Sequence, residues 1–280
     1  MSGLLAEVGT RVLDRWLSLL ALPGVLFTAA AVWGVAAGHG GAFAPETWSG
    51  LVDSAGGAGQ GAKTAAVVVA LVLAAVAAGY VARGAGAAVR TVWLGEWRGP
   101  AAPVARRLAS RRRARAAAAA ARDGIEPVAA YLPVRPTWMA DRMRLAQARV
   151  EGQYNGLSLP ATWPRLWLLM PEESRATVRT AGGDVEAASV LTGWGVLYLA
   201  LGTVCYPAAV VGAIVVAVGW RRGRTATGVL AELVESAVDV HLALLLEAFA
   251  IEPLPYLTED TARQVNDRAR KGSSSAPRRT

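Results

Sequence analysis

Few side chains of this chain have the chemistry of a nucleophile, an acid–base pair or a metal ligand. The 280 residues contain one cysteine, Cys205, and two histidines, His39 and His241. Cys205 lies in an apolar run without a suitably placed base, which argues against a nucleophile. Asp239 and His241 are two residues apart and therefore face different sides of a helix. We predict no catalytic residue, no metal site and no cofactor, and a single cysteine excludes a disulfide within the chain.

Three acidic residues, Glu232, Glu235 and Asp239, lie on one face of a predicted helix. No cluster of His or Cys completes a metal site beside them. We interpret them as an acidic face that docks electrostatically on a basic part of the same chain.

The segment Gly57–Thr64 resembles a phosphate-binding P-loop, G-x-x-x-x-G-K-[ST]. Ala62 stands where the pattern requires its last glycine, no strand precedes the segment, and an apolar run follows it. We therefore interpret it as a loop that ends at Lys63 rather than as a nucleotide site.

A basic segment is followed by an alanine run, Ala116–Ala121, and both residue types favour a helix. Nucleic-acid binding is one interpretation, but no aromatic residues interleave with the arginines to stack bases. We favour contact with anionic lipid at the membrane surface, to which each basic residue contributes about 1 kcal/mol. The predicted lipid-contacting residues are Arg106, Arg107, Arg111, Arg112, Arg113 and Arg115.

The stretch from Leu132 to Pro171 has the most distinctive pattern. Thr137 follows a proline and predicts an N-cap for a helix that runs to about Gly152, and Tyr154-Asn155-Gly156 predicts a turn. We interpret the later tryptophans as an anchor at an interface or in a domain core rather than as parts of an active site. The residues predicted to take part in interaction with a partner are Arg142, Arg144, Tyr154, Trp163, Pro164, Arg165 and Trp167.

This stretch resembles a family of bacterial, actinobacterial-type integral membrane proteins with the patterns P-T-x-L-G-N-x-L-R-A-A-E, Y-G-[IL]-D and W-P-R-L. Over about forty residues the matching positions are Pro136, Thr137, Arg144, Ala146, Tyr154, Trp163, Pro164, Arg165 and Leu166. Gln147 replaces a glutamate of the family pattern, Ser158 replaces an aspartate, and Asn155 is an insertion. The resemblance implies an architecture and a cytoplasmic motif block, not a reaction.

Composition places the chain among membrane proteins. Hydrophobic residues make up 54% and charged residues 18%, and the apolar residues are gathered into blocks. The net charge is +8. Seventeen arginines and nine acidic residues lie between Arg83 and Glu186, so the positive-inside rule makes this block cytoplasmic.

The first apolar stretch, Leu17–Gly38, is long enough to span a bilayer, and we interpret it as an uncleaved span. The second, Thr64–Ala82, extends to Val89 if Arg83 reaches the interface, and Trp93 and Trp97 then form an interfacial aromatic belt.

The uncharged run Ala187–Trp220 has the wrong length for one crossing. As a single helix its 34 residues would measure about 51 Å, against a hydrocarbon core of about 30 Å. The arginines on both flanks require an even number of crossings, so we predict a hairpin of two short spans that breaks near Pro207. One tilted span is the alternative.

The fold class predicted is therefore all-α: a polytopic membrane protein with four crossings, both termini in the cytoplasm and a helical cytoplasmic module. A tail helix over Thr225–Glu252, stopped by Pro253, is expected to pack on the motif block. The predicted segments are an amphipathic helix at 1–15, two spans with an external loop at 39–62 within 16–89, a basic juxtamembrane segment at 90–130, the motif block at 131–186, the hairpin at 187–220, the tail helix at 221–257 and a polar, partly disordered tail at 258–280.

The predicted function is a non-enzymatic scaffold, adaptor or sensor of the bacterial inner membrane, with an unidentified cytoplasmic protein partner. The apolar runs contain no acid, histidine or arginine, which argues against a coupled transporter. The alternative is a subunit of a small oligomeric channel or passive transporter, since Gly34-x-x-x-Gly38 and Ala208-x-x-x-Gly212 would permit close helix packing in a homo-oligomer.

Overall fold

The computed structural model describes residues 22–37, 61–124, 126, 128–252 and 256–270. These residues contain α-helices, short 3₁₀ turns and no β-strand, which confirms the all-α prediction. The helices are α1 Leu22–Ala37, α2 Gly61–Leu94, α3 Ala102–Arg122, α4 Trp138–Gln153, α5 Leu159–Leu169, α6 Glu172–Leu201, α7 Tyr206–Ala248 and α8 Glu259–Ala269.

The contacts within the chain divide it into two units. Unit 1 comprises the described residues of Met1–Val89 and Ala188–Arg221, and unit 2 comprises those of Arg90–Ala187 and Arg222–Thr280. Helices α2, α6 and α7 each contribute one end to unit 1 and the other end to unit 2.

Glycines allow the helices of unit 1 to approach one another closely. A Cβ atom at Gly86 of α2 would lie 2.8 Å from the Cα of Val190 of α6, and one at Gly34 of α1 would lie 3.2 Å from Cβ of Cys205. Phe27 of α1 packs edge-on against Tyr198 with ring centroids 5.2 Å apart. Small residues thus let the helices of unit 1 approach closely, as is typical of helices that pack without a hydrophobic driving force.

The run Ala187–Trp220 does reverse direction, at the turn 202–205 immediately before Tyr206-Pro207. The two arms pack on each other, because a Cβ at Gly212 would lie 2.6 Å from the backbone nitrogen of Leu199. Gly34 and Gly212, which the sequence offered for packing between copies, therefore both face residues of the same chain.

The arms of this hairpin are not two short helices. They belong to α6, with 30 residues, and α7, with 43. Neither flank of the apolar run contains a proline or a cap that would interrupt the backbone hydrogen bonds, so both helices continue into unit 2. The predicted tail helix is accordingly the second part of α7, and α2 likewise continues past Val89 to Leu94.

Helix α7 ends at Ala248, before Pro253, the residue predicted to stop it. Ala250 adopts a left-handed conformation with φ +50°, and the N–H of Ile251 donates to the carbonyl of Leu246 at 2.9 Å. This bond pattern closes a helix end by satisfying its last carbonyls.

Several local predictions in unit 2 are confirmed. Thr137 caps α4 by accepting from the N–H of Ala140 at 3.2 Å, and α4 ends at Gln153. The turn that follows contains two residues with positive φ, Asn155 at +48° and Gly156 at +92°.

The apolar core of unit 2 joins the motif block, the second part of α7 and α8. Leu157, Leu166, Val238 and Leu245 are each at most 1% exposed in one continuous cluster. The predicted packing of the tail helix on the motif block is thus confirmed. Within the segment predicted as a polar tail, Thr258 caps α8, and Val265 of α8 is fully buried in the same cluster.

Two described helices are long and apolar enough to cross a membrane by length and composition, Ala65–Leu94 and Glu172–Leu201, and Leu22–Ala36 is a shorter apolar helix. The four-crossing topology stays a prediction. The predicted amphipathic helix at 1–15, residues 39–60 of the predicted external loop at 39–62, the first half of the P-loop-like segment and the last ten residues lie outside the described residues.

Candidate functional site

The polar centre of unit 2 is the carboxylate of Asp141, in the first turn of α4. It is 8% exposed, and its Oδ1 accepts from the backbone N–H groups of Val134 and Arg135 at 3.0 and 3.3 Å. Two guanidinium groups complete its shell: Arg144 at 3.3 Å from Oδ1 and Arg112 at 3.4 Å from Oδ2. Both oxygens of this buried carboxylate therefore face donors, three at Oδ1 and one at Oδ2.

The same two arginines hold the irregular segment before α4. Arg144 donates to the carbonyls of Ala130 and Leu132 at 2.9 and 3.0 Å, and Arg112 donates to that of Arg135 at 3.1 Å. A segment without regular structure has no ladder for its carbonyls, so side-chain donors must satisfy them. Arg112, Asp141 and Arg144 thus fix this segment against α3 and α4.

Two of the predicted interaction residues have contacts inside unit 2. Arg112 was predicted to contact lipid; its guanidinium is directed into unit 2, where burial lowers its pKa despite the opposing effect of Asp141. Arg144 was predicted to contact a partner; each of its three guanidinium nitrogens donates a hydrogen bond within the chain. The signal that was missed is Asp141 itself, an acid in the first helical turn three residues before an arginine.

Trp93 was predicted to lie at the membrane interface, but it is buried within unit 2. It is 7% exposed, a Cβ at Gly223 would contact its ring, and its carbonyl accepts a hydrogen bond from the hydroxyl of Thr137. Trp138 contacts Arg224, whose guanidinium lies 4.6 Å from the centroid of the Trp138 ring, within the range of cation–π attraction. Both tryptophans bind the start of α4 to residues of α7.

The predicted acidic face does dock on the basic block. Glu235 of α7 receives Arg142 at 3.5 Å and Arg149 at 3.4 Å, and the hydroxyl of Tyr154 donates to Asp239 at 2.7 Å. Burial and the bond to Asp239 raise the pKa of Tyr154 to about 12, so its hydroxyl stays a donor at neutral pH. Arg142 and Tyr154 therefore hold α4 on α7.

The remaining motif residues lie on α5. Trp163 and Trp167 pack against the core cluster with ring centroids 5.9 Å apart, as expected of a core anchor. Arg165 donates to the carbonyl of Ala161 in its own helix at 2.9 Å. Pro164 is exposed, and Leu168 beside it is 74% exposed.

The basic segment forms α3, as predicted. Its exposed arginines are Arg106, Arg107, Arg111, Arg113 and Arg115. They contrast with Arg112, which lies on the inner side of the helix. Five arginines of α3 are thus exposed on its surface, whereas Arg112 is engaged in an ion pair inside unit 2.

The residues with possible catalytic chemistry are dispersed. His241 lies 3.1 Å from the hydroxyl of Ser174, Asp239 bonds to Tyr154, and Cys205 is buried in unit 1. Among the described residues no three His, Cys, Asp or Glu side chains come together as metal ligands. Compared with known proteins, the chain matches no family model, no curated protein and no solved structure.

Proposed function

We propose that this chain is a multi-pass protein of the bacterial inner membrane that presents unit 2 as a non-enzymatic helical module in the cytoplasm, where it serves as a scaffold, adaptor or sensor. In this proposal unit 1 crosses the membrane four times, both termini are cytoplasmic, and the family resemblance of the motif block reflects a shared architecture.

The observation that carries the membrane part of the proposal is the outer surface of α2. Six Val and Leu side chains between residues 67 and 73 are each 42–63% exposed. Burying that apolar surface is worth about 25 cal/mol per Å², and a lipid environment provides the burial. The division of contacts supports the same view, since the boundaries of unit 1, at Val89, Ala188 and Arg221, coincide with the ends of the apolar runs.

The distribution of charge supports a cytoplasmic unit 2. The five exposed arginines of α3 follow α2 closely in the chain. In this proposal they face the anionic headgroups of the inner leaflet, each with about 1 kcal/mol of attraction, and nucleic acid is not the partner.

The motif residues support a scaffold because their contacts build the module. Arg142, Arg144 and Tyr154 connect α4 to its surroundings, and the two tryptophans of α5 pack in the core. The part of α5 that is free for a protein partner is its exposed side at Pro164 and Leu168.

A flux assay separates the scaffold from the passive-pore alternative. The full chain is reconstituted in liposomes loaded with a small self-quenched dye, at a series of protein densities. We expect leakage equal to that of protein-free liposomes at every density, because Gly34 and Gly212, which would permit close packing between copies, face residues of the same chain. Leakage that rises with protein density would favour the oligomeric channel and overturn the scaffold.

A further inference from the structure

We propose that an open groove along α3 in unit 2 is a binding site for the phosphate group of a phosphate ester. The groove has a volume of about 410 Å³. It is bounded by residues 96–98 on one side, by residues of α3 between Ala102 and Arg113 along its base, and by residues 133–136 on the other side. The buried Asp141 network described above fixes the last of these walls.

The groove has an excess of positive charge. Arg98, Arg106, Arg113 and Arg135 line it, and Glu96 is its only lining acid. Arg98 and Arg135 both pair with the Glu96 carboxylate. The hydrogen bond from Arg98 has the larger effect and that from Arg135 the smaller, and together they hold the pKa of Glu96 below its usual value. The only carboxylate of the lining is therefore ionised and already paired at neutral pH.

Arg106 and Arg113 are the groups left to bind an anion. Both are exposed, and neither forms an ion pair with any residue that the structure describes. Their spacing of seven residues places them on one face of α3, about 10.5 Å apart along its axis. Two long guanidinium side chains at this spacing can converge on one tetrahedral anion, whose oxygens match the guanidinium donors.

The first turn of α3 adds to the attraction. Its N-cap, Ala101, provides no side-chain cap, and the turn contains no acidic residue. No side chain of this turn therefore offsets the partial positive charge of the helix N-terminus, and Ala102 and Ala105 of this end line the groove. Small alanines here leave room for an anion to approach the helix.

The walls indicate that the ligand carries an organic body. Trp97 on one wall and Pro133, Val134 and Pro136 on the other add apolar surface to the groove. A bare inorganic ion would leave that surface unused, whereas an ester places its phosphate at Arg106 and Arg113 and its carbon skeleton against these residues. The ester can be a phospholipid headgroup or a soluble metabolite, which share this chemistry.

Titration calorimetry of the full chain in a neutral detergent tests the site with two probes, glycerol 3-phosphate and dihexanoyl phosphatidylglycerol. The groove variant carries Arg106→Gln and Arg113→Gln. The matched control carries Arg107→Gln and Arg111→Gln, which removes the same charge from exposed positions of α3 outside the groove. A second groove variant, Ala109→Asp, adds a carboxylate to the base and leaves both arginines in place.

We expect at least a tenfold loss of affinity for both groove variants and less than a threefold loss for the control. Binding of both probes would identify a soluble phosphate ester as sufficient, and binding of the lipid alone would identify a headgroup. Both results support the site. Equal losses in the groove and control variants, or no binding of either probe to the wild type, would overturn it. The result does not depend on membrane topology, because neither probe forms a bilayer.

Discussion

Replacing Asp141 by Asn is expected to lower the free energy of unfolding by about 3 kcal/mol. The substitution keeps the shape and an acceptor for the N–H groups of Val134 and Arg135. It removes the negative charge that faces the largely buried guanidinium groups of Arg112 and Arg144. Loss of one partner of a buried ion pair is costly because the remaining charge stays desolvated, and here two such charges remain.

Chemical denaturation of the purified chain, followed by helical circular dichroism, measures this loss. The matched control is Asp184→Asn, an exposed acid of α6 that also belongs to unit 2. We expect the control to change stability by less than about 0.5 kcal/mol. Equal stability of the two variants would show that Asp141 does not organise the segment before α4.

Replacing Gly193 by Ala is the second substitution with a large expected effect, and it acts on unit 1. A Cβ at this position of α6 would lie 2.7 Å from the backbone nitrogen of Gly86 and closer still to the carbonyl oxygen of Ala82, both on α2. Backbone atoms cannot rotate away as a flexible side chain can. The helices must therefore separate, and we expect a net loss of about 2 kcal/mol despite the better helix propensity of alanine.

Gly84→Ala is the matched control, since a Cβ at Gly84 of α2 meets no atom within 4 Å. At this position only the higher helix propensity of alanine acts, and we expect the free energy of unfolding to rise by about 0.5–1 kcal/mol. The measurement is the thermal unfolding temperature of each variant in the same detergent. A Gly193→Ala protein at least as stable as Gly84→Ala would refute the close packing of α2 on α6.

Local signals in the sequence were sufficient for part of this fold. Thr137 after a proline predicted the start of α4, Asn155-Gly156 predicted the turn after it, and alanine with arginine predicted α3. Each of these features is decided by a few neighbouring residues, through a capping bond, a positive φ or helix propensity.

Helix continuity was not predictable from hydropathy. The change from apolar to charged residues at Trp220 suggested a new element, but the backbone of α7 passes through it because no residue there breaks the hydrogen bonds. A change of composition marks a change of environment and need not end a helix. The same error shortened the predicted second span and both arms of the hairpin.

The roles of the arginines also depend on tertiary structure. Arg111, Arg112 and Arg113 are consecutive, yet only Arg112 faces Asp141, because successive residues of a helix point about 100° apart. The sequence placed all three in one basic segment and could not show which side α4 would cover. The groove that Arg106 and Arg113 line was not predictable from the sequence for the same reason, since one of its walls comes from residues 133–136.

The most direct test of the proposed function is the accessibility of two introduced cysteines in a Cys205→Ala background. Thr203→Cys lies at the exposed turn between α6 and α7, and Ala118→Cys lies on the exposed side of α3. Intact bacteria are treated with a membrane-impermeant maleimide, before and after permeabilisation. We expect Thr203→Cys to be labelled in intact cells and Ala118→Cys only after permeabilisation. Equal accessibility of the two positions, or labelling of Ala118→Cys in intact cells, would contradict an inner-membrane protein with unit 2 in the cytoplasm.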